Sequence, residues 1–471
     1  MISSVAERRP SYWPAAVACG LWAAAVAAAP TLTAKAVLAA PALLIAIGAW
    51  TLARPARWIS AFLAAALLLP PLPIAIGDSG PHPALIFAAL GFFAGLVWMG
   101  EWRLRVDGVR APMIALWGIM LASVGLAAIH SGEEVAAASL ARVLLFGISL
   151  YVFFFTADGP GGRGFAGIRP LRSLPALYWI GAASAAFAIV DFYFQLPAPA
   201  GYGPQFVWLD TGVFRRAQGL FYEAGTLGNF CAFSLVLIAV AFSRRRQEAP
   251  VSRMGLIAGG ALFFVALVLS YSRASVVNVL VAAGVLAWRN RRRVRLVRAL
   301  PVLAALVGVG AYAVWEIFPR FAELYWNRLA GSAQFFFSAT DGILSGRLAT
   351  WQTLLDWISA HPWQTLIGIG YKTLPYTTYL GAPIVADNMY LSLLVETGVA
   401  GLAALIWLNV AILRSSARAA GSKNPHRAFL GTWMLCFWAG QVVQMFSVDL
   451  LTYWRLLPLY FWVLALAEAD A

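Results

Sequence analysis

The chain of 471 residues is 61% hydrophobic and only 11% charged, and it carries a formal net charge of +14. Soluble domains are roughly 25% charged, so this composition excludes an ordinary soluble protein and favours a membrane protein. The cysteines Cys19, Cys231 and Cys436 all fall within apolar stretches. They are expected to pack as small apolar residues, not to form disulfides or a metal cluster.

The apolar stretches follow one another along almost the whole chain, separated by charged or Pro/Gly-rich breaks. A helix needs about 20 mainly apolar residues to cross a bilayer core, so the sequence predicts an all-α, polytopic membrane protein of about fourteen spans. Residues 1–471 then form a single transmembrane domain. The predicted spans are, in order, 12–30, 31–53, 58–77, 84–100, 111–130, 135–157, 176–197, 219–243, 254–272, 274–288, 299–318, 388–413, 428–447 and 455–469.

Most of the 34 Lys and Arg residues lie at the N-terminus and in every second connection between these spans. By the positive-inside rule those connections are cytoplasmic, and both termini are expected in the cytoplasm. The net charge therefore indicates orientation, and no nucleic-acid partner is expected. Two longer connections fall on the extracytoplasmic side, a shorter loop over 198–218 and a long loop over 319–387.

The long loop contains apolar residues at helical spacing between Ser345, a plausible N-cap, and His361. This pattern predicts an amphipathic helix. It fits two placements, one in the membrane interface and one packed on the helical bundle as a lid. The apolar positions are Leu348, Trp351, Leu354, Leu355 and Ile358.

Familiar motifs of soluble catalysis are absent from the sequence, which contains no P-loop, no H-E-x-x-H and no D-x-D. The four histidines lie in different loops on both predicted sides of the membrane. A histidine metal site is therefore not expected, and no cofactor is predicted.

Charged residues within or beside spans are costly unless they face a polar cavity, so each is a functional candidate. Several converge on the predicted outer face. Arginine suits a diphosphate because its planar fork gives bidentate, charge-assisted hydrogen bonds, and a nearby carboxylate could act as a base. These candidates are Arg215, Arg216, Glu223, Arg273, Arg347 and Asp387.

Structural roles compete with these functional ones. Arg273 could be a snorkelling anchor at a helix end, and Asp387 could cap the helix that follows it. Glu223 and Glu396 could each satisfy a neighbouring helix, although Glu223 is the better catalytic candidate of the two.

The order of several short motifs around the long loop resembles the O-antigen ligase and O-antigen polymerase superfamily. The resemblance covers residues 210 to 402. The motifs are Arg216-Ala217-Gln218-Gly219-Leu220-Phe221-Tyr222-Glu223, Leu269 to Ser275, Ser345-Gly346-Arg347 with Trp351, Gly368-Ile369-Gly370-Tyr371, and Asp387-Asn388-Met389-Tyr390-Leu391 with Glu396 to Gly401.

The resemblance implies a GT-C-like, metal-independent, inverting glycosyltransferase of the bacterial inner membrane. It would transfer a glycan from undecaprenyl diphosphate to a hydroxyl of a glycan or lipid acceptor on the extracytoplasmic face, among membrane lipids. The resemblance implies catalytic roles for Glu223 and Asp387. It implies that the diphosphate is bound by Arg216, Arg273 and Arg347. The residues expected to support the site are Arg215, Ser272, Asn388 and Tyr390.

One motif departs from the family pattern. Ligases that attach O-antigen to lipid A-core usually carry His-Asn where this chain has Asp387-Asn388. The acidic residue favours a polymerase of repeat units, with the ligase as the alternative. A flippase or other transporter of lipid-linked glycans is the alternative of a different class, since it would share the span count and a cationic cavity.

Overall fold

The computed structural model of the protein describes most of the chain. The described residues are 13–54, 56–72, 81–160, 173–198, 202–209, 212–244, 251–291 and 347–468, with Tyr312, Trp315, Glu316, Glu323 and Trp326. The predicted span 299–318 therefore lies almost wholly outside the described residues, as does the predicted N-cap Ser345.

The described residues fold mainly into helices. In chain order these are α1 (Trp13–Ala28), α2 (Leu32–Leu52), α3 (Arg57–Leu68), α4 (Ala84–Val97), α5 (Arg110–Ser131), α6 (Glu133–Ala157), α7 (Ser173–Phe194), α8 (Ala224–Ser243), α9 (Arg253–Leu269), α10 (Arg273–Arg289), α11 (Arg347–Ala360), α12 (Pro362–Ile367), α13 (Met389–Ala420), α14 (Pro425–Gln444) and α15 (Leu457–Glu468). Short 3₁₀ helices cover Met99–Glu101, Gly219–Phe221 and Leu450–Thr452.

Five of the described helices, α5, α6, α7, α8 and α13, are long and apolar enough to cross a membrane. Helices α3, α4, α9 and α15, and the part of α2 from Leu38 to Leu52, are apolar but shorter. The chain is thus a multi-pass membrane protein. The total of about fourteen spans and the GT-C likeness remain predictions.

A small antiparallel hairpin interrupts the helical pattern within the shorter predicted outer loop. Strand β1 (Phe206–Leu209) pairs with β2 (Gly212–Arg215), in a register that sets Phe206 opposite Arg215. The residues Phe206-Val207-Trp208-Leu209 are aromatic or apolar types that favour a strand. The prediction of purely helical structure missed this element.

The helices pack into one bundle around α13 and α14. Helix α14 lies between α13 and α10 and also contacts α8 and α15, while α6 packs against α5 and α15. Trp58, Trp438 and Trp462 are fully buried within it. Because lipid is as apolar as these side chains, their packing contacts, and not exclusion from water, hold the helices together.

One group of charged residues, the Arg110 cluster, lies at one end of the bundle and consists of Arg110, Asp158, Arg427 and Glu468. Arg110, at the start of α5, donates to Asp158 at the end of α6, with Nε 2.6 Å from Oδ2, and lies 3.8 Å from Glu468 at the end of α15. At the same end, Arg427 donates to the carbonyl oxygen of Ala467. The N-termini of α8, α10 and α13 lie at the other end, and the orientation of the bundle in the membrane remains a prediction.

Helix α13 contains a break at Gly398, which has φ 72° and ψ −173°. The segment after α12 crosses the helix at this point, and the amide N–H of Gly370 donates to the carbonyl oxygen of Glu396 at 2.8 Å. A Cβ on Gly398 would lie 2.3 Å from the carbonyl oxygen of Leu366, and one on Gly368 would lie 2.6 Å from that of Glu396. Close backbone contact therefore explains the glycines of both motifs.

A helix, α11, is present where the amphipathic helix of the long loop is predicted. Leu354 is buried at its centre, whereas Leu355 is 47% exposed. The residues that pack with Leu354 come from the rest of the loop and from α13, and include Ile369, Leu374, Ala386 and Val395. Of the two placements, these contacts favour the helix packed on the bundle.

Candidate active site

A cavity of about 880 Å³ lies at the end of the bundle opposite the Arg110 cluster. Its wall is built from β1, from the N-termini of α10 and α11, from the segment before α13, and from the connection between α14 and α15. Six of the residues proposed from the sequence line it, namely Arg216, Glu223, Ser272, Arg273, Arg347 and Asp387. Residues far apart in the chain are thus brought to one surface.

Arg216 is held at the wall of this cavity by the backbone around it. Its Nε donates to the carbonyl oxygen of Ser270 at 2.9 Å, and its amide N–H donates to that of Gln205 at 2.8 Å. Burial lowers the pKa of the Arg216 guanidinium, Tyr453 and Glu223 counteract this, and the cation of Arg347 lowers it further. Positive charges placed close together repel each other, and a bound anion relieves this repulsion. The site therefore favours an anion.

Arg347 and Asp387 form an ion pair across the cavity mouth. Nη2 of Arg347 lies 2.9 Å from Oδ2 of Asp387, and Nε lies 3.1 Å from the same oxygen. Both side chains are partly exposed, at 29% and 45%. The pair fixes one edge of the guanidinium and leaves the Nη1 side available to an oxyanion.

Asn388, and not Asp387, caps α13. The side-chain oxygen of Asn388 accepts from the amide groups of Tyr390 and Leu391 at 3.1 and 3.2 Å. Asp387 has φ 45°, a left-handed conformation that aspartate tolerates better than most residues. The alternative in which Asp387 caps the helix is therefore wrong.

Glu223 directly precedes α8, outside the membrane-spanning helix itself. The hydroxyl of Thr226 donates to its Oε2 at 2.5 Å, and among the described residues none hydrogen-bonds to Oε1. Burial raises the pKa of the Glu223 carboxyl, although the Thr226 hydrogen bond and the cations Lys372 and Arg216 pull it down. A carboxylate with a raised pKa and an oxygen that no described residue engages has the properties of a general base.

The cavity also contains charged residues that the sequence analysis did not assign to the site. Nζ of Lys372 lies 2.5 Å from Oδ2 of Asp449. Burial lowers the pKa of the Lys372 ammonium, but the carboxylates of Asp449 and Glu396 outweigh burial and raise it overall. Lys372 directly follows the Gly368-to-Tyr371 motif, and that position was the signal that could have identified it.

Glu396 lies on the cavity wall although only 1% of it is exposed. Its Oε1 accepts from the amide N–H of Leu374 at 3.2 Å. In the described part of the chain, its Oε2 has no hydrogen-bond partner. Through Oε1, Glu396 thus contacts the loop after α12 and not a neighbouring helix.

The remaining residues proposed as supporting do not line the cavity. Arg215 pairs with Asp191 of α7, with Nη2 3.4 Å from Oδ1. The hydroxyl of Tyr390 donates to the carbonyl oxygen of Val442 at 2.8 Å, and Asn388 is the helix cap. These contacts place Arg215 and Tyr390 behind the wall of the site.

A buried polar network supports the N-terminus of α10. Gln444 accepts from the side-chain amides of Asn229 and Asn278, both at 2.9 Å, and donates to Ser275 at 3.2 Å. The hydroxyl of Ser275 lies 2.8 Å from that of Ser272. Side chains of α8, α10 and α14 are thereby joined directly beneath the cavity.

Within the described residues, no group of three or more His, Cys, Asp or Glu side chains is arranged to hold a metal ion. In this cavity three arginines can bind an anion, and a carboxylate can accept a proton.

Part of the chain matches a known protein family. Residues 258–406 match the family model described as O-antigen ligase, which confirms the resemblance seen in the sequence. Members of this family are glycosyltransferase-like enzymes that act on lipid-linked glycans. No curated protein matches the chain. The match covers α13 only as far as residue 406 and begins within α9, so it includes Arg273, Arg347 and Asp387.

Proposed function

We propose that this protein, of which residues 258–406 match the O-antigen ligase family model, polymerises glycan repeat units carried on undecaprenyl diphosphate, on the extracytoplasmic face of a bacterial inner membrane. The observation that carries the proposal is the meeting of Arg216, Arg273 and Arg347 with Glu223 in one cavity. Both termini would then lie in the cytoplasm, at the end of the bundle where Arg110 and Arg427 are found.

The three arginines would bind the diphosphate of the donor. Each comes from a different segment, so together they can surround a group that carries charge on several oxygens. As the bond between the anomeric carbon and the phosphate oxygen breaks, negative charge builds up on the leaving diphosphate. Preorganised cations stabilise that charge most in the transition state and so accelerate the reaction.

Glu223 would remove the proton from the acceptor hydroxyl. Its carboxylate forms no ion pair among the described residues, whereas Oδ2 of Asp387 accepts two hydrogen bonds from Arg347. Asp387 would instead hold Arg347 in position. Direct displacement by the acceptor oxygen gives inversion at the anomeric carbon and needs no metal ion in this scheme.

A polymerase and a ligase differ only in the acceptor. We favour the polymerase because Asp387 stands where the ligases that this chain resembles usually carry histidine. The ligase stays the second candidate because the matched family model is described by that activity. The family match gives no support to a flippase.

The surface polysaccharide of a strain that lacks the protein tests the proposal. We expect acceptors carrying a single repeat unit, with lipid-linked units exposed on the outer face of the membrane. Long chains stranded on undecaprenyl diphosphate would indicate a ligase. Repeat units trapped on the cytoplasmic face would indicate a flippase and would contradict the proposal.

A further inference from the structure

A second cavity, of about 380 Å³, adjoins the one described above. The two share the side chains of Glu223, Thr452 and Tyr453. None of the three arginines assigned to the diphosphate lines the second cavity. We propose that it binds the sugar at the non-reducing end of the acceptor glycan, an inference that rests on the proposed glycosyl transfer.

The wall of the second cavity has the chemistry that recognises a sugar. Its lining includes the aromatic side chains of Tyr202, Phe221 and Trp454, a residue type that packs against the C–H groups of a pyranose. Small-ligand sites typically combine mostly apolar walls with a few polar groups. By contrast, eight of the residues that line the first cavity are charged.

Neighbouring residues hold these rings in place. The ring of Trp454 makes an edge-to-face contact with His82, with centroids 5.4 Å apart, and Tyr202 lies against Tyr222 at 5.0 Å. Burial and the cation of Arg455 lower the pKa of His82 to about 3. His82 is therefore neutral at physiological pH, and its Nδ1 accepts from the amide N–H of Ala84 at 3.1 Å.

Arg455 fixes the backbone next to Trp454. It donates to the carbonyl oxygens of Ala66 and Leu69, at 2.9 and 3.0 Å, and to that of Leu220. These bonds tie the start of α15 to the end of α3 and to the segment before Glu223. A preorganised wall costs less conformational entropy when a ligand binds.

The position of Glu223 between the cavities matches the geometry of an inverting displacement. The attacking oxygen must approach the anomeric carbon from the side opposite the leaving diphosphate. The acceptor hydroxyl gives its proton to Glu223 and forms the new bond to the anomeric carbon, and the electron pair of the broken C–O bond leaves on undecaprenyl diphosphate. A donor bound in the first cavity and an acceptor bound in the second, with Glu223 lining both, satisfy this requirement.

The volume of the second cavity limits what it can hold. Pockets for small ligands span roughly 300 to 1,000 Å³, so 380 Å³ accommodates one or two sugar rings but not a polyprenyl chain as well. The cavity would therefore select the terminal sugar of the acceptor, while the rest of the acceptor remains outside.

The test uses the full-length protein in lipid nanodiscs with two measurements. The first is binding of undecaprenyl diphosphate, and the second is polymer formation from lipid-linked repeat units extracted from the deletion strain. We expect Trp454→Ala to lower polymer formation by about three- to tenfold, the equivalent of one lost ring contact, with undecaprenyl diphosphate binding within about twofold of the wild type. Trp454→Phe keeps a ring and should recover most of the activity.

Trp363→Ala is the matched control, because Trp363 is 74% exposed and lines neither cavity. Tyr202→Ala removes another ring of the second cavity and tests the same inference if Trp454→Ala does not fold. Unchanged polymer formation in both variants would overturn the inference. So would a loss of undecaprenyl diphosphate binding as large as that of Arg273→Ala. A wild-type protein that forms no polymer would instead contradict the proposed function.

Discussion

One carboxylate oxygen of Asp387 accepts hydrogen bonds from both Nε and Nη2 of Arg347, at 3.1 and 2.9 Å. The backbone of Asp387 reaches this position in a left-handed conformation directly before the helix cap Asn388. The start of a membrane helix therefore orients an arginine supplied by the long loop. If Asp387 acts through Arg347 alone, the effects of the two side chains are not independent.

A double-mutant cycle tests this dependence. Arg347→Ala should lower the rate of glycan transfer by about 10²–10³-fold, the usual cost of removing one preorganised charge-stabilising group. Asp387→Asn should have a smaller effect in the wild-type background. In the Arg347→Ala background it should have almost none, because its partner is absent. Transfer rates of the four proteins in nanodiscs measure this.

A general base at Asp387 predicts a different pattern. Asp387→Asn would then lower the rate severely in both backgrounds, and the two effects would multiply. That pattern would exclude Glu223 as the sole base and give the base role to Asp387.

Glu223→Gln should lower the transfer rate by about 10²–10⁴-fold, the contribution typical of general base catalysis. The pH profile carries a second signature. A base works only when deprotonated, and burial raises the pKa of Glu223. The rate of the wild type should therefore fall with decreasing pH at a higher pH than an ordinary carboxylate would give.

The pH dependence must disappear in Glu223→Gln for this assignment to hold. Thr226→Ala is the companion variant, since it removes the hydrogen bond that Oε2 accepts. Loss of that bond should move the fall in rate to still higher pH, because the hydrogen bond lowers the pKa of Glu223. A shift in the opposite direction would contradict the assignment.

Two glutamines of α14 provide a matched pair for the buried polar network. Gln444→Leu should leave the amides of Asn229 and Asn278 without their acceptor, at a cost of about 1–3 kcal/mol in stability for each group left unsatisfied. It should also weaken diphosphate binding, because Ser275 supports the N-terminus of α10. Thermal unfolding in detergent and binding of undecaprenyl diphosphate measure the two effects.

Gln441→Leu is the control for Gln444→Leu. Gln441 is also fully buried on α14, but among the described residues neither of its side-chain polar atoms has a hydrogen-bond partner. Replacing it by an apolar residue of similar size should leave stability unchanged or raise it. Equal losses in the two variants would indicate that any change in this helix is harmful and would count against the network.

The sequence predicted which residues line the site better than it predicted which of them pair with each other. Charge beside apolar spans identified Arg216, Arg273 and Arg347 because such residues are costly in a membrane, and all three line the cavity. Lys372 was missed because it lies within the long loop, where a charge has no unusual cost, whereas Asp449 follows the predicted span 428–447 by two residues and met the criterion without being assigned. Their pairing depends on how distant loops fold together.

The hairpin and the helix cap were missed for a similar reason. A four-residue strand gives a periodic signal too short to distinguish from an apolar loop, and Asp387 and Asn388 are both good caps by type. Arg347 forms an ion pair with Asp387, and Asn388 is left to cap α13. Arg347 is 40 residues away in the chain, beyond the reach of local sequence patterns.

Gly398→Ala should destabilise the protein and lower its transfer rate. The residue has a positive φ, and a Cβ there would lie 2.3 Å from the carbonyl oxygen of Leu366, so a cost of about 1–3 kcal/mol or more is expected. Gly125→Ala, in α5, should be neutral, because no atom lies within 4 Å of the added Cβ. Thermal unfolding distinguishes the two, and an unfolding temperature of Gly398→Ala equal to that of Gly125→Ala would contradict the expectation.

The break at Gly398 also sets a fixed length for the first part of α13. The cap at Asn388 fixes one end of this stretch at Asp387, and the crossing segment that contains Gly368 and Gly370 fixes the other. Each residue of a helix turns its side chain by about 100°, so inserting or deleting one residue between these points would rotate Glu396 away from the cavity or Asp387 away from Arg347. The number of residues between Asn388 and Gly398 is therefore fixed by contacts at both ends of this stretch.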